Sequence, residues 1–164
     1  MSREFAELLT ASNFTFLTGA SHPDEMVDAV HRVRGGALFA LAFAAPGVLE
    51  TGPLALSMKV AEEAVARLGT AFQIVDDLTD FEFDVGRKSH NLLVAQIHHL
   101  GTGEERAALE PLWNGAPMTP GVVEDVFGES AHAVLERAYA EASAAFRSLH
   151  DLGFWFDPEL SREV

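Results

Sequence analysis

From Gly52-Pro53 to about Phe81 the sequence reads as one long helix that is apolar nearly all round. A chain containing such a helix must fold around it, because a helix hydrophobic on every side is buried at the centre of its domain. Leu68, Ala71, Ile74, Val75 and Leu78 lie off its one polar face. That face carries Asp76, Asp77 and Asp80, which at ~100° per residue fall within an arc of roughly 100°. Gln73 points into the same arc. In the preceding turns Val65, Ala66 and Gly69 are small; they leave room for a ligand along the helix, and tight helix packing explains them equally well.

Helical periodicity dominates elsewhere, so the expected fold is all-α, a single helical domain over residues 1–164. Ser2 can cap a helix carrying Phe5, Leu8 and Leu9 toward Phe16, and Thr18 to Ser21 reads as a turn. A second helix starts at Ser21, with Asp24, Glu25 and Asp28 near its positive end. Met26, Val30, Val33, Ala37 and Leu41 form its stripe, and Pro46-Gly47 ends it. After the long helix, Asp84 to Asn91 reads as a loop, Leu92 to Leu100 as a helix and Gly101 to Gly103 as a turn. Glu104 to Trp113 is helical and Asn114 to Pro120 a break. Thr119-Pro120 then opens a last helix through Leu152, with Val134, Leu135, Ala138, Ala142, Ala145, Phe146 and Leu149 inward. Phe154-Trp155-Phe156 packs back or meets an interface. No strand-like alternation exceeds a few residues, and no internal repeat occurs.

A chain of 164 residues is long enough to bury a core, and 48% hydrophobic with 22% charged residues rules out a disordered acidic tail. The net charge of −14 argues against nucleic acid as a partner. Without cysteine there is no disulfide, thiolate metal site or cysteine nucleophile. The start, Met1 to Glu7, lacks the apolar run of a signal peptide, and the apolar stretch Ala37 to Val48 is too short to span a bilayer. The expected compartment is cytoplasmic, with no transmembrane segment.

Three crowded carboxylates repel one another, and a hard divalent cation removes the conflict. Mg²⁺ takes oxygen ligands and commonly bridges one or two carboxylates to a substrate's phosphates. Asp76, Asp77 and Asp80 are thus candidate Mg²⁺ ligands for a bound diphosphate. Glu82 and Asp84 extend the acidity but read as surface. His98-His99 point ~100° apart on a helix and do not converge on one ion. No P-loop, dinucleotide loop or local Ser-His-Asp signature occurs.

Phe72-Gln73-Ile-Val-Asp76-Asp77-Leu-Thr-Asp80 resembles the second aspartate-rich motif of the trans-isoprenyl diphosphate synthases, or polyprenyl synthetases. Arg34-Gly35-Gly36-Ala37-Leu38-Phe39 is similar to the family's Lys-Thr-x-x-Leu-Phe segment, and Gly86-Arg87-Lys88 to its Gly-Lys loop. Order and spacing agree from about residue 3 to about residue 100. The resemblance implies about half of an isoprenoid-synthase-like helical bundle. It implies Mg²⁺ on Asp76, Asp77 and Asp80, and Arg34, Gln73, Lys88 and Phe72 at the substrate. In the family an allylic diphosphate ionises and isopentenyl diphosphate attacks the cation, head to tail, while metal stabilises the departing diphosphate.

The departures from the family are specific. The family's earlier aspartate-rich motif has no counterpart here, Lys-Thr becomes Arg34-Gly35, and Asn91-Leu92 stands near where Asp-Leu is usual. Arginine keeps the charge and binds phosphate bidentately. The expectation is a prenyltransferase, or a subunit or fragment of one. It would form a homo-oligomer, or a hetero-oligomer with a chain supplying the first motif. The alternative is a non-catalytic helical subunit that dimerises with and regulates a complete synthase.

Overall fold

The computed structural model describes residues 32–155, and every regular element among them is helical. A π-helical turn, Arg32–Gly36, leads into α1 (Ala37–Leu49). There follow α2 (Pro53–Thr79), α3 (Phe81–Arg87), α4 (Leu92–Leu100) and α5 (Gly103–Trp113). A short α6 (Val122–Val126) and the long α7 (Gly128–Asp151) complete the described part. The all-α class read from the sequence is therefore the class that forms. The helix expected from Ser2, the turn at Thr18, the first turns of the Ser21 helix and Phe156 lie outside the described residues.

Helix boundaries differ from expectation where a breaker residue is overruled locally. Pro46-Gly47 does not end α1: the Pro46 carbonyl accepts from the Glu50 N–H at 2.9 Å, and the helix runs to Leu49. Proline disturbs the turn before it, through its missing N–H and its ring, while its own φ already suits the turn that follows. The expected loop from Asp84 is helical as far as Arg87, since Phe81 and Val85, four residues apart, are both buried. Thr119-Pro120 does not open the last helix. Gly121, at φ +83°, precedes the five residues of α6, and Phe127 separates α6 from α7.

The described chain divides into two compact units, Ile74–Leu135 on one hand and Arg32–Gln73 with 136–155 on the other. In the first, α3, α4 and α5 pack on one another. Its core holds Ile74, Phe81, Val85, Leu92, Leu93, Ile97, Leu109, Phe127 and Val134. The Phe81 and Phe127 rings lie 5.4 Å apart in a tilted pair, each ring burial contributing about 1.5–3 kcal/mol. In the second unit Ala61 and Ala64 meet Ala145 and Leu149, and Phe43, Val65, Leu68 and Leu152 pack around them. Of the inward residues expected on α7, Val134, Ala138, Ala145 and Leu149 are buried, Ala142 and Phe146 are half-buried and Leu135 is exposed. Phe154 does pack back, edge-on to Phe43 at 6.4 Å, while Trp155 stands 88% exposed.

Candidate functional site

The last turns of α2 sort the three aspartates. The buried stripe of α2 runs through Ala61, Ala64, Ala71, Ile74 and Asp77 and is continued by Phe81, at steps that keep to one helical face. Asp77 therefore lies on the core side, only 6% exposed, while Asp76 is half-buried and Asp80 exposed. The ~100° between neighbouring residues is enough to send one carboxylate inward and leave the others outward. The three do not form one outward cluster, as the expected arc implied.

Asp77 is held by the start of α4. The Leu92 N–H donates to its Oδ2 at 2.6 Å, satisfying one of the amides that a helix N-terminus leaves unpaired. Beside it Asn91, 2% exposed, uses both ends of its amide. Its Oδ1 accepts from the Leu93 and Val94 N–H groups at 3.0 and 3.3 Å, capping α4. Its Nδ2 donates to the Asp77 carbonyl at 2.6 Å and to Asp84 Oδ2 at 2.9 Å. Asp84 is thus not merely surface acidity: it binds the amide that ties α3 to the end of α2 and the start of α4.

Asp76 and Asp80 are one helical turn apart, and the Asp80 N–H donates to the Asp76 carbonyl at 2.8 Å. Residues at this spacing stand one above the other on a helix surface. The Thr79 hydroxyl also donates to the Asp76 carbonyl, at 2.8 Å, closing the last turn of α2. Two carboxylates at this spacing, one half-buried and one exposed, are a donor set of the kind that suits Mg²⁺, which holds to one or two protein carboxylates and completes its shell with water and phosphate oxygen. Among the described residues no group of three or more His, Cys, Asp or Glu side chains converges to hold a metal.

Lys88 belongs to the same unit and caps α3. It takes the left-handed conformation, φ 55° and ψ 39°, while its N–H donates to the Val85 carbonyl and that of Ser89 to the Asp84 carbonyl. This pair of bonds is the Schellman ending of a helix, usually built on glycine. Here Gly86 sits inside the helix and the lysine takes the strained place. Its exposed ammonium lies 6.0 Å from the centroid of the Trp113 ring, and Arg87 lies 4.1 Å from that of Phe83.

The other candidates lie in the second unit. Arg34 is exposed, in the π-helical turn. The next residue, Gly35, meets α2 so closely that a Cβ on it would collide with the Gly69 carbonyl and come within 3.1 Å of Gln73 Cβ. Gly36 lies against Ala66 less tightly, a Cβ there standing 3.2 Å from the Ala66 carbonyl oxygen. Ala66 and Gly69 are therefore small because another helix crosses them, which settles the question their size left open. Gln73 is half-buried beside this crossing, and Phe72, 63% exposed, pairs with Phe39 at 5.9 Å between ring centroids.

One polar group that periodicity did not single out is Glu105, 4% exposed. Its Oε2 accepts from the Thr102 N–H at 2.9 Å, completing a capping box whose Thr-x-x-Glu spelling is visible in the sequence. Oε1 accepts from the Ser130 N–H and Oε2 from the Ser130 hydroxyl, at 3.0 and 2.8 Å. The second half of that arrangement joins residues far apart in the chain and had no local signal.

Compared with known proteins, the chain matches no family model, no curated protein and no solved structure.

Proposed function

We propose that this all-helical chain is an isoprenyl diphosphate synthase-like prenyltransferase, or a subunit of one. It would bind an allylic diphosphate through Mg²⁺ for head-to-tail condensation with isopentenyl diphosphate. The observation that carries the reading is the pair Asp76 and Asp80, one helical turn apart and off the buried stripe at the end of an apolar helix, directly after Phe72-Gln73. Bound there, Mg²⁺ would supply charge stabilisation for a departing diphosphate. Asp76 and Asp80 give the hard oxygen ligands. Asp77, held by Leu92, fixes the rotation of the turn that presents them. Lys88 offers a cation to the diphosphate, and the resemblance gives the same task to Arg34, with Gln73 and Phe72 as substrate contacts.

Calorimetric titration of a non-hydrolysable allylic diphosphate, with and without Mg²⁺, tests this reading. Binding is expected only with Mg²⁺, lost in the double variant Asp76→Ala/Asp80→Ala and kept in Asp77→Asn. A folded chain that binds equally well without Mg²⁺, or with both carboxylates removed, would sink the proposal.

The second reading, a non-catalytic helical subunit that regulates a complete synthase, draws on the apolar side of α1. Leu38, Leu41, Val48 and Leu49 are all largely exposed there, and such an apolar face supports a reading in which a partner covers it.

A further inference from the structure

The break between α2 and α3 falls at Asp80, whose backbone (φ −92°, ψ 6°) joins Thr79 to Phe81. In an unbroken helix the Asp77 carbonyl would take the N–H of residue 81. Here that carbonyl accepts from Asn91 Nδ2 at 2.6 Å, and the same nitrogen donates to Asp84 Oδ2 at 2.9 Å. One amide nitrogen therefore spans the joint, with one proton on the last turn of α2 and the other on the first turn of α3. The amide's orientation is fixed, because only its oxygen can accept from the Leu93 and Val94 N–H groups. Since that oxygen is held by the start of α4, the joint is set against a third helix.

The two sides of the joint carry the two halves of the proposed diphosphate site. Asp76 lies in the last turn of α2 and Asp80 at the joint itself, while Lys88 caps the far end of α3. Because α3 is only seven residues long, the direction it takes from the joint fixes where Lys88 stands relative to the carboxylates. We infer that Asn91 is the positioning residue of that site: its amide sets the bend at Asp80, and with it the placing of Lys88 relative to Asp76 and Asp80. The inference rests on the diphosphate reading and adds to it a buried residue, 2% exposed, that acts through the backbone of its neighbours. Capping α4 uses only the oxygen of Asn91, and a serine or glycine would serve there almost as well. The two donations from the nitrogen are what a shorter side chain could not make together.

Calorimetric titration of a non-hydrolysable allylic diphosphate with Mg²⁺ into the full chain, beside Asn91→Ser and Asn91→Gly, tests the inference. Both variants should keep a helical circular dichroism spectrum and bind about tenfold more weakly than wild type, since a misplacement of about 1 Å can cost about 100-fold at a positioned site. Lys88→Gln separates positioning from stability. It should weaken binding severalfold in the otherwise wild-type chain, and by no more than about twofold in Asn91→Ser, where Lys88 is already out of place. Full affinity in a folded Asn91 variant, or an equal Lys88→Gln loss in both backgrounds, would overturn the inference and leave the diphosphate reading standing. Loss of the helical spectrum in both Asn91 variants would make Asn91 a structural tie alone and overturn it too. A wild-type chain that binds nothing with Mg²⁺ would remove the diphosphate reading, and this inference with it.

Discussion

The Leu92 amide donates to Asp77 Oδ2 at 2.6 Å, so the middle carboxylate of the acidic run anchors a helix that begins fifteen residues later. Its neighbours are less buried, Asp76 half-buried and Asp80 exposed. One short segment thereby locks the end of α2 to α4 and leaves Asp76 and Asp80 off its buried face.

Asp77→Ala is accordingly expected to destabilise the chain. A buried hydrogen bond to a charged group contributes about 1.5–3 kcal/mol, and the substitution also strands the Leu92 amide. Asp77→Asn keeps an acceptor oxygen and should lose less than half as much. Urea unfolding followed by circular dichroism measures both. Equal losses for the two variants would show that charge, rather than the bond to Leu92, is what matters at this position.

How far the sequence reveals this arrangement depends on the range of the interactions involved. The limits of α4 were legible because Asn91 and Gly101 are local signals at its two ends, and Asn91 is the cap. Gly86 and the polar run from Asp84 resemble a break, whereas buried Phe81 and Val85 hold a helix there. Aspartates on one stretch of α2 were visible from spacing. Which of them turns inward was not, since that choice is made by an amide contributed from another helix. The small residues Ala66 and Gly69 of α2 likewise have two meanings in the sequence alone, and the packing of Gly35 and Gly36 against them decides between the two.

That crossing gives substitutions of opposite sign. An added Cβ at Gly35 would collide with the Gly69 carbonyl. Gly35→Ala should therefore cost about 1–3 kcal/mol, the usual range for overpacking. Gly47, in α1, has nothing within 4 Å of where its Cβ would stand. Gly47→Ala should stabilise by up to about 1 kcal/mol, the difference in helix propensity. Thermal melts of the two variants should shift in opposite directions; a shared direction would refute the close crossing.

Lys88 offers a test that separates backbone from charge. A non-glycine residue in the left-handed region is strained by about 1–2 kcal/mol, and a β-branched one is strained further. Lys88→Gly relieves that strain but removes the ammonium from beside Trp113, and the gain is further offset by glycine's greater freedom when unfolded. Stability should stay level or rise slightly, while Lys88→Val should fall by about 1 kcal/mol. If Lys88 also neutralises a diphosphate, both variants should weaken diphosphate binding alike despite their different stabilities. Binding that instead follows stability would assign Lys88 to the turn alone.

Glu105 sets an acid limit on the unit it joins. Burial by itself raises its pKa, but this is outweighed by hydrogen bonds from the Ser130 and Thr102 amides and from the Ser130 and Thr102 side chains, and the carboxyl is held below its ordinary value. A carboxylate whose pKa is lower folded than unfolded stabilises the fold at any pH above its unfolded value. That contribution is lost as pH falls through the folded value, when the charged acceptor of the Ser130 and Thr102 donors takes up a proton. Urea midpoints between pH 7 and pH 3 should therefore fall on acidification. Glu105→Gln, which turns an amide toward groups that donate, should be less stable at pH 7 by about 1–3 kcal/mol. Its deficit should shrink toward low pH, where the wild-type carboxyl is also neutral. A deficit that stays constant across the range would mean that the carboxylate's charge does not hold α5 to the start of α7, and that shape alone does.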